Sequence, residues 1–141
     1  MKLFIDASVM VAILRREDGY QRWLDPIGAA TSRHASPLGL CEAASRMHTI
    51  STQRAEQLTA DANLKAVLTL AEELAIDIAA DDPSDWKSAF ESFARYGRTS
   101  GHPAALNMGD CFHYAVCRRI GARMLCTSPG EFRLTDLPCV A

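Results

Sequence analysis

Short apolar runs alternate with longer helical patterns along this chain, and this alternation limits the folds that are open to it. The first run, Lys2 to Ile5, ends at Asp6 and is followed by a stretch from Ala7 to Leu14 that is apolar nearly all round. These two segments are interpreted as a buried strand that turns into a buried helix. Strands alternating with helices indicate an α/β fold with a mostly parallel sheet covered on both faces. Further strands are predicted at Thr31 to His34, Ile76 to Ala79 and Arg123 to Cys126.

The intervening helices are predicted from capping residues and from the spacing of apolar residues. Ser36-Pro37 predicts a helix start, because serine caps free amides and proline is tolerated at the first helical position. Asn107 is predicted to cap a later helix that ends at Gly121. A turn at Ser128-Pro129-Gly130 is predicted after the last strand. The helix that starts at Ser36-Pro37 is predicted to run to about His48, and another helix is predicted from Asp18 to about Ile27. The segment from Thr52 to Ala75 is predicted to form one long helix or two joined helices. A further helix is predicted to begin at Asp82-Pro83-Ser84 and to end near Gly97.

Size and composition favour one domain that spans residues 1–141. The chain is 48% hydrophobic and 23% charged, so a single core can form and disorder is not expected. The net charge of −2 excludes the strong overall basic field that drives much nucleic-acid binding. A nuclease is not excluded, because bound metal cations restore positive potential where carboxylates had removed it.

The cysteines and the N-terminal segment predict a cytoplasmic protein with no membrane span. None of the five cysteines belongs to a Cys-x-x-Cys pair, and they are interpreted as reduced core residues. The N-terminus lacks a basic segment followed by a long apolar run and a cleavage site of small residues. No apolar run approaches the roughly 18 residues that a membrane helix needs.

Three acidic residues occupy positions where structural and functional roles compete. Asp6 lies where a buried strand stops, and capping of the following helix would explain it equally well. Glu42 lies in the third helix among small and apolar neighbours, although a helical glutamate commonly faces water. Asp110 follows Asn107 by three residues, where a carboxylate also interacts favourably with the helix dipole and the cap amide. Glu131, in the loop after the final turn, is the weakest candidate of the four.

Converging carboxylates suit one chemistry in particular. Magnesium and manganese take oxygen ligands, usually a few carboxylates together with waters and substrate phosphate. Such an ion lowers the pKa of bound water, and a second ion can stabilise the leaving oxygen of an attack on phosphorus. The four histidines, His34, His48, His102 and His113, form no pair at ligand spacing and are predicted to be structural or exposed. Zinc is therefore disfavoured.

Four segments give the chain a family resemblance: FIDASVMVAIL, TSRHASPLGLCEAASRM, ALNMGDCFHYAVCRRIGARMLC and GEFRLTDL. In order and spacing they resemble PIN-domain ribonucleases of the VapC toxin type across nearly the whole chain. The resemblance implies a three-layer α/β/α sandwich, a homodimer and an acidic pocket that binds Mg²⁺ or Mn²⁺. It also implies cleavage of structured RNA such as tRNA or rRNA, and a cognate antitoxin that covers the pocket. By motif, Asp6, Glu42 and Asp110 match the catalytic and metal-binding acidic residues of the family.

The last loop departs from the family pattern. Members of the family often have aspartate there, whereas this chain has Ser128-Pro129-Gly130-Glu131-Phe132. Thr127, Ser128 or Glu131 could supply the last polar contact, directly or through water. Glu131 is therefore included as a catalytic candidate that ranks below the other three.

Other functions compete with RNA cleavage. A catalytically silent PIN-fold binding or adaptor module would keep the fold, but it gives no reason to hold like charges together. A phosphatase of the haloacid-dehalogenase kind would need a second aspartate two residues after Asp6, where Ser8 stands. A DNA flap nuclease ranks lower, because this short chain has no added domain to hold duplex DNA. For RNA, the predicted phosphate contacts are Arg15, Arg16, Arg33, Arg95, Arg98 and Arg133, with Tyr96 or Trp86 for base stacking.

Overall fold

A computed structural model describes residues 1–128 and 130–140, so the central residue of the predicted turn at Ser128-Pro129-Gly130 lies outside the described residues. The described strands form one sheet in which every neighbouring pair is parallel, in the order β3-β2-β1-β4. The strands are β1 (Lys2–Ile5), β2 (Ser32–Ala35), β3 (Ile76–Ile78) and β4 (Arg123–Leu125). An all-parallel sheet agrees with the predicted α/β class.

The central strand β1 determines where the core lies. Leu3, Phe4 and Ile5 are fully buried, because β1 has a neighbouring strand on each side and helices over both faces. Side chains alternate between the two faces of a strand. Leu3 and Ile5 accordingly belong to one apolar cluster, and Phe4 belongs to the other.

The helices cover both faces of the sheet. The described α-helices are α1 (Ala7–Leu14), α2 (Leu24–Ala29), α3 (Pro37–Gln53), α4 (Ala60–Glu73), α5 (Asp85–Tyr96), α6 (Met108–Arg119) and α7 (Gly130–Arg133). Helices α1, α3 and α4 pack with Leu3 and Ile5, whereas α5 and α6 pack with Phe4. The predicted three-layer α/β/α sandwich is confirmed. None of the described helices is both long and apolar enough to cross a membrane.

The predicted helix from Asp18 to Ile27 is wrong. A 3₁₀ helix (Tyr20–Trp23) leads instead into α2, and Gly19 precedes it with a φ of 75°. Pro26 is the third residue of α2, a position whose missing N–H has no partner within the helix in any case. Local turn chemistry therefore divides a segment whose apolar spacing alone resembled one helix.

The boundary between the next two helices also differs from the prediction. Helix α3 continues to Gln53, five residues beyond the expected end at His48. The chain then leaves the helix through Ala55, which has a φ of 51°, and α4 begins after its cap Thr59. The segment from Thr52 to Ala75 was predicted to form one long helix or two joined helices. Neither prediction gives the correct boundaries, because Thr52 and Gln53 are the last two residues of α3 and α4 begins only at Ala60.

The other boundaries agree with the prediction to within a few residues. Ser36 caps α3 by accepting a hydrogen bond from the Gly39 amide, and Pro37 is the first helical residue. Asn107 caps α6. All five cysteines are free, and Cys111, Cys117 and Cys126 are buried, as expected for reduced core residues. Cys41 on α3 is exposed, so the prediction of a core position is wrong for that residue.

Candidate active site at the carboxyl edge of the sheet

A cavity of about 510 Å³ lies at the edge of the sheet where β1 and β4 end. All four carboxylates named from the sequence line it, namely Asp6, Glu42, Asp110 and Glu131. Asp6 lies between the end of β1 and the start of α1, and Glu42 lies in the second turn of α3. Asp110 and Glu131 lie in the first turns of α6 and α7. Parallel strands bring such residues together because their carboxyl ends share one edge.

Asp6 is both a helix cap and a wall of this cavity. It is the N-cap of α1, and its Oδ2 accepts hydrogen bonds from the Ser8 amide at 2.9 Å and the Ser8 hydroxyl at 2.5 Å. Its own amide donates to the Leu125 carbonyl at 2.9 Å. The capping role considered for Asp6 is therefore confirmed. The other carboxylate oxygen, Oδ1, has no hydrogen-bond partner among the described residues.

Ser8 connects the two strand ends that border the cavity. Its hydroxyl donates to Asp6 and accepts a hydrogen bond from the Thr127 amide at 3.1 Å. From the sequence, Ser8 served only as an argument against a phosphatase, which would need aspartate at that position. Its actual role depends on a residue 119 positions away and could not be inferred from local spacing.

Glu42 is held between two residues of α6. Its Oε2 lies 2.7 Å from Nε2 of His113. Its Oε1 lies against Gly109, where a Cβ atom would come within 2.6 Å of that oxygen. Any residue with a side chain at position 109 would therefore displace the Glu42 carboxylate or be displaced by it. The alternative that Glu42 is a freely solvated surface residue is wrong, since it is partly buried and hydrogen-bonded.

Asp110 forms a capping box with Asn107. Its Oδ2 accepts from the Asn107 amide at 3.0 Å, while the Asn107 side chain accepts from the Asp110 amide at 2.8 Å. The pKa of Asp110 is raised above its ordinary value, chiefly by burial and further by the charges of Glu131 and Asp6. The Asn107 hydrogen bond opposes this shift without cancelling it. The surroundings of Asp110 thus disfavour the negatively charged form of its own carboxyl group.

The three carboxylates share one arrangement. In each, one oxygen is held by protein donors, at Asp6 Oδ2, Glu42 Oε2 and Asp110 Oδ2. Within residues 1–128 and 130–140, the second oxygen of each has no hydrogen-bond partner, and no lysine or arginine forms an ion pair with any of the three. Oriented oxygens of this kind fit a hard divalent cation such as Mg²⁺ or Mn²⁺.

His113 is buried beside this site and is hydrogen-bonded to Glu42, which agrees with the prediction of a structural or exposed histidine, although its closeness to the acidic residues was not foreseen. Its ring is only 1% exposed, and ligand atoms of Asp6, Glu42 and His113 lie within 4.8 Å of one another. Burial alone would lower the pKa of His113, but Glu42, Asp6 and Asp110 raise it above its ordinary value. One signal was available in the sequence, because residues three apart on a helix share a face and His113 follows Asp110 by three.

The last loop brings all three of its candidate residues to the cavity. Thr127, Ser128 and Glu131 line it, but the Thr127 amide is already bonded to Ser8. Glu131 is exposed, lies in the first turn of α7, and has no hydrogen bond within the described part of the chain. Glu131 therefore has the position of a fourth acidic group without the tethering that holds the other three.

The arginines predicted to contact RNA differ in their surroundings. Arg15 forms a 2.8 Å ion pair with Glu56, and Arg33 donates to backbone carbonyls at the end of α2. Both guanidinium groups thus have structural partners. Arg46, which was not predicted, lines the acidic cavity. The other arginine contacts stay predictions.

Of the two aromatic residues proposed for base stacking, only one is accessible. Tyr96 is 3% exposed, so the prediction that it stacks on a base is wrong. Its ring lies edge-on to His102 within the cluster that also contains Tyr114. Trp86 is 66% exposed but lines a different cavity, together with Leu38.

Comparison with known proteins agrees with this fold and with the family resemblance. The PIN domain family model matches residues 3–136. A VapC ribonuclease of Rhizobium meliloti is 34% identical over 141 residues, covering 95% of this chain and 98% of the relative. Ribonuclease VapC28 of Mycobacterium tuberculosis is 31% identical over 114 residues, covering 81% of this chain and 80% of the relative.

Two solved structures share the fold. VapBC-1 of nontypeable Haemophilus influenzae aligns with a TM-score of 0.74 and 12% identity, covering 99% of this chain and 97% of the other. VapC20 of Mycobacterium tuberculosis, described as a sarcin-ricin loop cleaving toxin, aligns with a TM-score of 0.69 and 15% identity, covering 98% of both chains.

The acidic cavity at the carboxyl edge of a parallel sheet and the match over residues 3–136 together show that this chain belongs to the PIN-domain family. Within that family its relatives are of the VapC ribonuclease type, as the resemblance of its four sequence segments predicted.

Proposed function

We propose that this protein is an endoribonuclease that depends on Mg²⁺ or Mn²⁺ and serves as the toxin of a type II toxin-antitoxin pair. The observation that carries the proposal is the set of three tethered carboxylates, Asp6, Glu42 and Asp110, each with one oxygen left for a ligand. The names of the VapC relatives support the reaction class. RNA hydrolysis accounts for the shared charge of this site, which a purely structural role does not.

The chemistry that a divalent cation supplies in such a site is a lowered pKa of nearby water and neutralisation of charge on the attacked phosphate. Asp6, Glu42 and Asp110 would hold the cation through their free oxygens. Ser8 and Asn107 keep two of these carboxylates oriented, so that little reorganisation is needed on binding.

Among the described residues that line the cavity, neither Cys126 nor Ser8 is suited to act as a covalent nucleophile. Cys126 lines the cavity, but burial raises the pKa of its thiol to about 12, which keeps it protonated near neutral pH. The Ser8 hydroxyl is held between Asp6 Oδ2 and the Thr127 amide, and a carboxylate is too weak a base to deprotonate a serine hydroxyl near neutral pH. Water is therefore the proposed nucleophile.

The proposed substrate is structured RNA such as tRNA or rRNA. VapC20 is described as a sarcin-ricin loop cleaving toxin, and this supports our proposal of a structured RNA target for this chain. Arg46 lies on the cavity wall, where its guanidinium could contact a phosphate beside the cleaved bond. Glu131 is proposed as a further catalytic residue of lower importance.

The proposed partners are a cognate antitoxin and a second copy of the chain. The neighbour from Haemophilus influenzae was solved as VapBC-1, which supports a partner protein in this fold. We propose that residues 1–141 form a single domain that acts in the cytoplasm as a homodimer, with the antitoxin covering the acidic cavity.

The test is cleavage of total cellular RNA by purified, antitoxin-free protein with Mn²⁺ or Mg²⁺. An EDTA sample and an Asp6→Asn variant are run alongside, because asparagine also caps helices and should leave the fold intact. Discrete fragments that require metal and are missing from both controls are expected, and sequencing of their ends identifies the target. Absence of cleavage with either metal would favour a catalytically silent binding or adaptor module.

A further inference from the structure

We propose that His113 is a positioning residue that holds the Glu42 carboxylate for the divalent cation and does not itself bind the metal. The inference rests on the proposed metal-dependent function. It concerns a buried histidine on α6 whose hydrogen bond to Glu42 on α3 spans 71 sequence positions.

The hydrogen bonds around the ring establish which nitrogen carries a proton. Glu42 as a carboxylate only accepts hydrogen bonds, so the 2.7 Å contact requires a hydrogen on His113 Nε2. On the other side, Nδ1 lies 3.4 Å from the Ser36 hydroxyl. That hydroxyl already accepts from the Gly39 amide at 3.0 Å, so its own hydrogen remains free to reach Nδ1.

This arrangement is inconsistent with His113 as a metal ligand. A ring nitrogen that carries a hydrogen has no lone pair in the ring plane to give to a cation. In either charge state of the ring, Nε2 donates to Glu42 and Nδ1 faces Ser36. The short distances among Asp6, Glu42 and His113 therefore fit an arrangement in which Glu42 is the metal ligand and His113 supports it through a hydrogen bond.

The same geometry explains how Glu42 is oriented. A glutamate side chain loses considerable rotamer freedom when it is fixed, and a hydrogen bond from a buried group selects one orientation in advance. His113 is 1% exposed and packs near Phe4, with ring centroids 6.0 Å apart, so the donor itself cannot move far. Gly109 leaves space for Oε1 on the opposite side of the carboxylate.

Three substitutions separate the donor from the rest of the ring. His113→Gln places an amide nitrogen near the position of Nε2 and keeps a donor for Glu42. His113→Asn places its amide near Nδ1, so it keeps a polar group for Ser36 but loses the donor to Glu42. His113→Ala removes both. Cys117→Ala is the matched control, because it removes a fully buried side chain from the same helix without lining the acidic cavity.

The measurement is Mn²⁺ affinity of the purified full-length chain, followed by the electron paramagnetic resonance signal of free Mn²⁺, with folding checked by thermal melting. We expect His113→Ala and His113→Asn to weaken binding about 10- to 100-fold, the range seen when supporting partners of metal ligands are removed. His113→Gln and Cys117→Ala should bind within about threefold of the wild type on the same scale. Unchanged affinity in the Ala and Asn variants, or an equal loss in the Gln or Cys117→Ala variants, would overturn the proposal.

A spectroscopic readout distinguishes support from direct ligation. Electron spin-echo modulation of bound Mn²⁺ should show no directly coordinated nitrogen in the wild type. Strong nitrogen modulation that disappears in His113→Gln would show that the ring is a ligand and would overturn the proposal. If the wild type binds no Mn²⁺ at all, the proposed metal-dependent function fails first. Binding by the wild type together with unchanged binding by His113→Ala rejects the positioning role alone.

Discussion

Helix α6 contacts one carboxylate near its beginning and another near its end, and the two have opposite electrostatic surroundings. Asp110, in the first turn, is near Glu131 and Asp6, and its pKa is raised mainly by burial. Asp136 accepts from the Tyr114 hydroxyl at 2.5 Å and from Arg118 at 2.7 Å, and these contacts lower its pKa to about 2. Among the described residues, Asp110 has no lysine or arginine partner, whereas Asp136 pairs with Arg118 at 2.7 Å and with Arg95 at 3.8 Å.

The opposite pKa shifts distinguish two roles: Asp136 stabilises the fold, whereas the charge of Asp110 would be stabilised by a bound ligand. Asp136 gains its stabilisation from residues of the chain itself. Asp110 gains only its cap hydrogen bond, while its charge is disfavoured by its neighbours. Like charges held together at a cost within the protein are typical of sites that bind cations or perform catalysis.

The largest expected difference concerns cleavage. Asp110→Asn should reduce metal-dependent RNA cleavage by more than about 100-fold, because removing a ligand should cost more than removing a supporting partner. Asp136→Asn makes the same chemical change and should keep cleavage within about threefold, since it touches no wall of the acidic cavity. Initial rates on the identified RNA measure both. Equal losses in the two variants would show that the comparison does not separate function from structure.

A smaller effect on cleavage is expected at Glu131. This residue lines the cavity but is exposed and untethered within the described residues. Glu131→Gln should therefore lower the cleavage rate about tenfold, which corresponds to about 1.4 kcal/mol of transition-state stabilisation. Rates at saturating Mn²⁺ measure this effect. A loss as large as that of Asp110→Asn would place Glu131 among the primary metal-binding residues.

The same pair of variants should shift metal-free stability in opposite directions. Asp110→Asn keeps an oxygen for the Asn107 amide and removes a disfavoured charge, so its melting temperature without metal should rise. Asp136→Asn should lose about 1 kcal/mol, a value reduced for solvent screening because this side chain is 39% exposed. That loss corresponds to a decrease of about 2 to 4 °C. Melting in EDTA tests both signs, and a lower melting temperature for Asp110→Asn would contradict the electrostatic account of that site.

The smallest effect is a pH dependence. The folded-state pKa of Asp136, about 2, lies below its ordinary value of 3.8. Its stabilising contribution is therefore fully present above pH 3.8 and is lost as the pH falls towards 2. The difference in unfolding free energy between the wild type and Asp136→Asn should shrink across that interval and stay constant above about pH 5. Urea unfolding at each pH measures it, and a difference that grows on acidification would contradict the assignment.

Sequence reasoning predicted those parts of the fold that depend on local patterns. The apolar segment of β1 and the caps Ser36 and Asn107 were found because their signals lie within a few residues of each element. The break between α3 and α4 was misplaced, because Ala55 adopts a positive φ with no glycine or proline to indicate it. The segment around Pro26 was predicted as part of one helix because its apolar spacing masked the local turn.

The candidate site was predictable only in part, for a similar reason. Asp6, Glu42 and Asp110 were named from their positions and from the family resemblance, and the structure brings all three to one cavity. Ser8 and His113 were not identified, because their partners Thr127 and Glu42 lie 119 and 71 positions away. A single sequence contains no direct record of such pairs.

The sequence by itself determined the alternation of strands and helices, the capping residues and the acidic residues available for metal. Only the tertiary structure decided that these acidic residues meet at one cavity, and which oxygen of Glu42 is held and which is left for a ligand. The reason is that periodicity and caps act over a few residues, whereas a hydrogen bond requires two atoms about 3 Å apart in a suitable direction. That condition is met at Glu42 and His113 only after α3 and α6 have packed on the sheet.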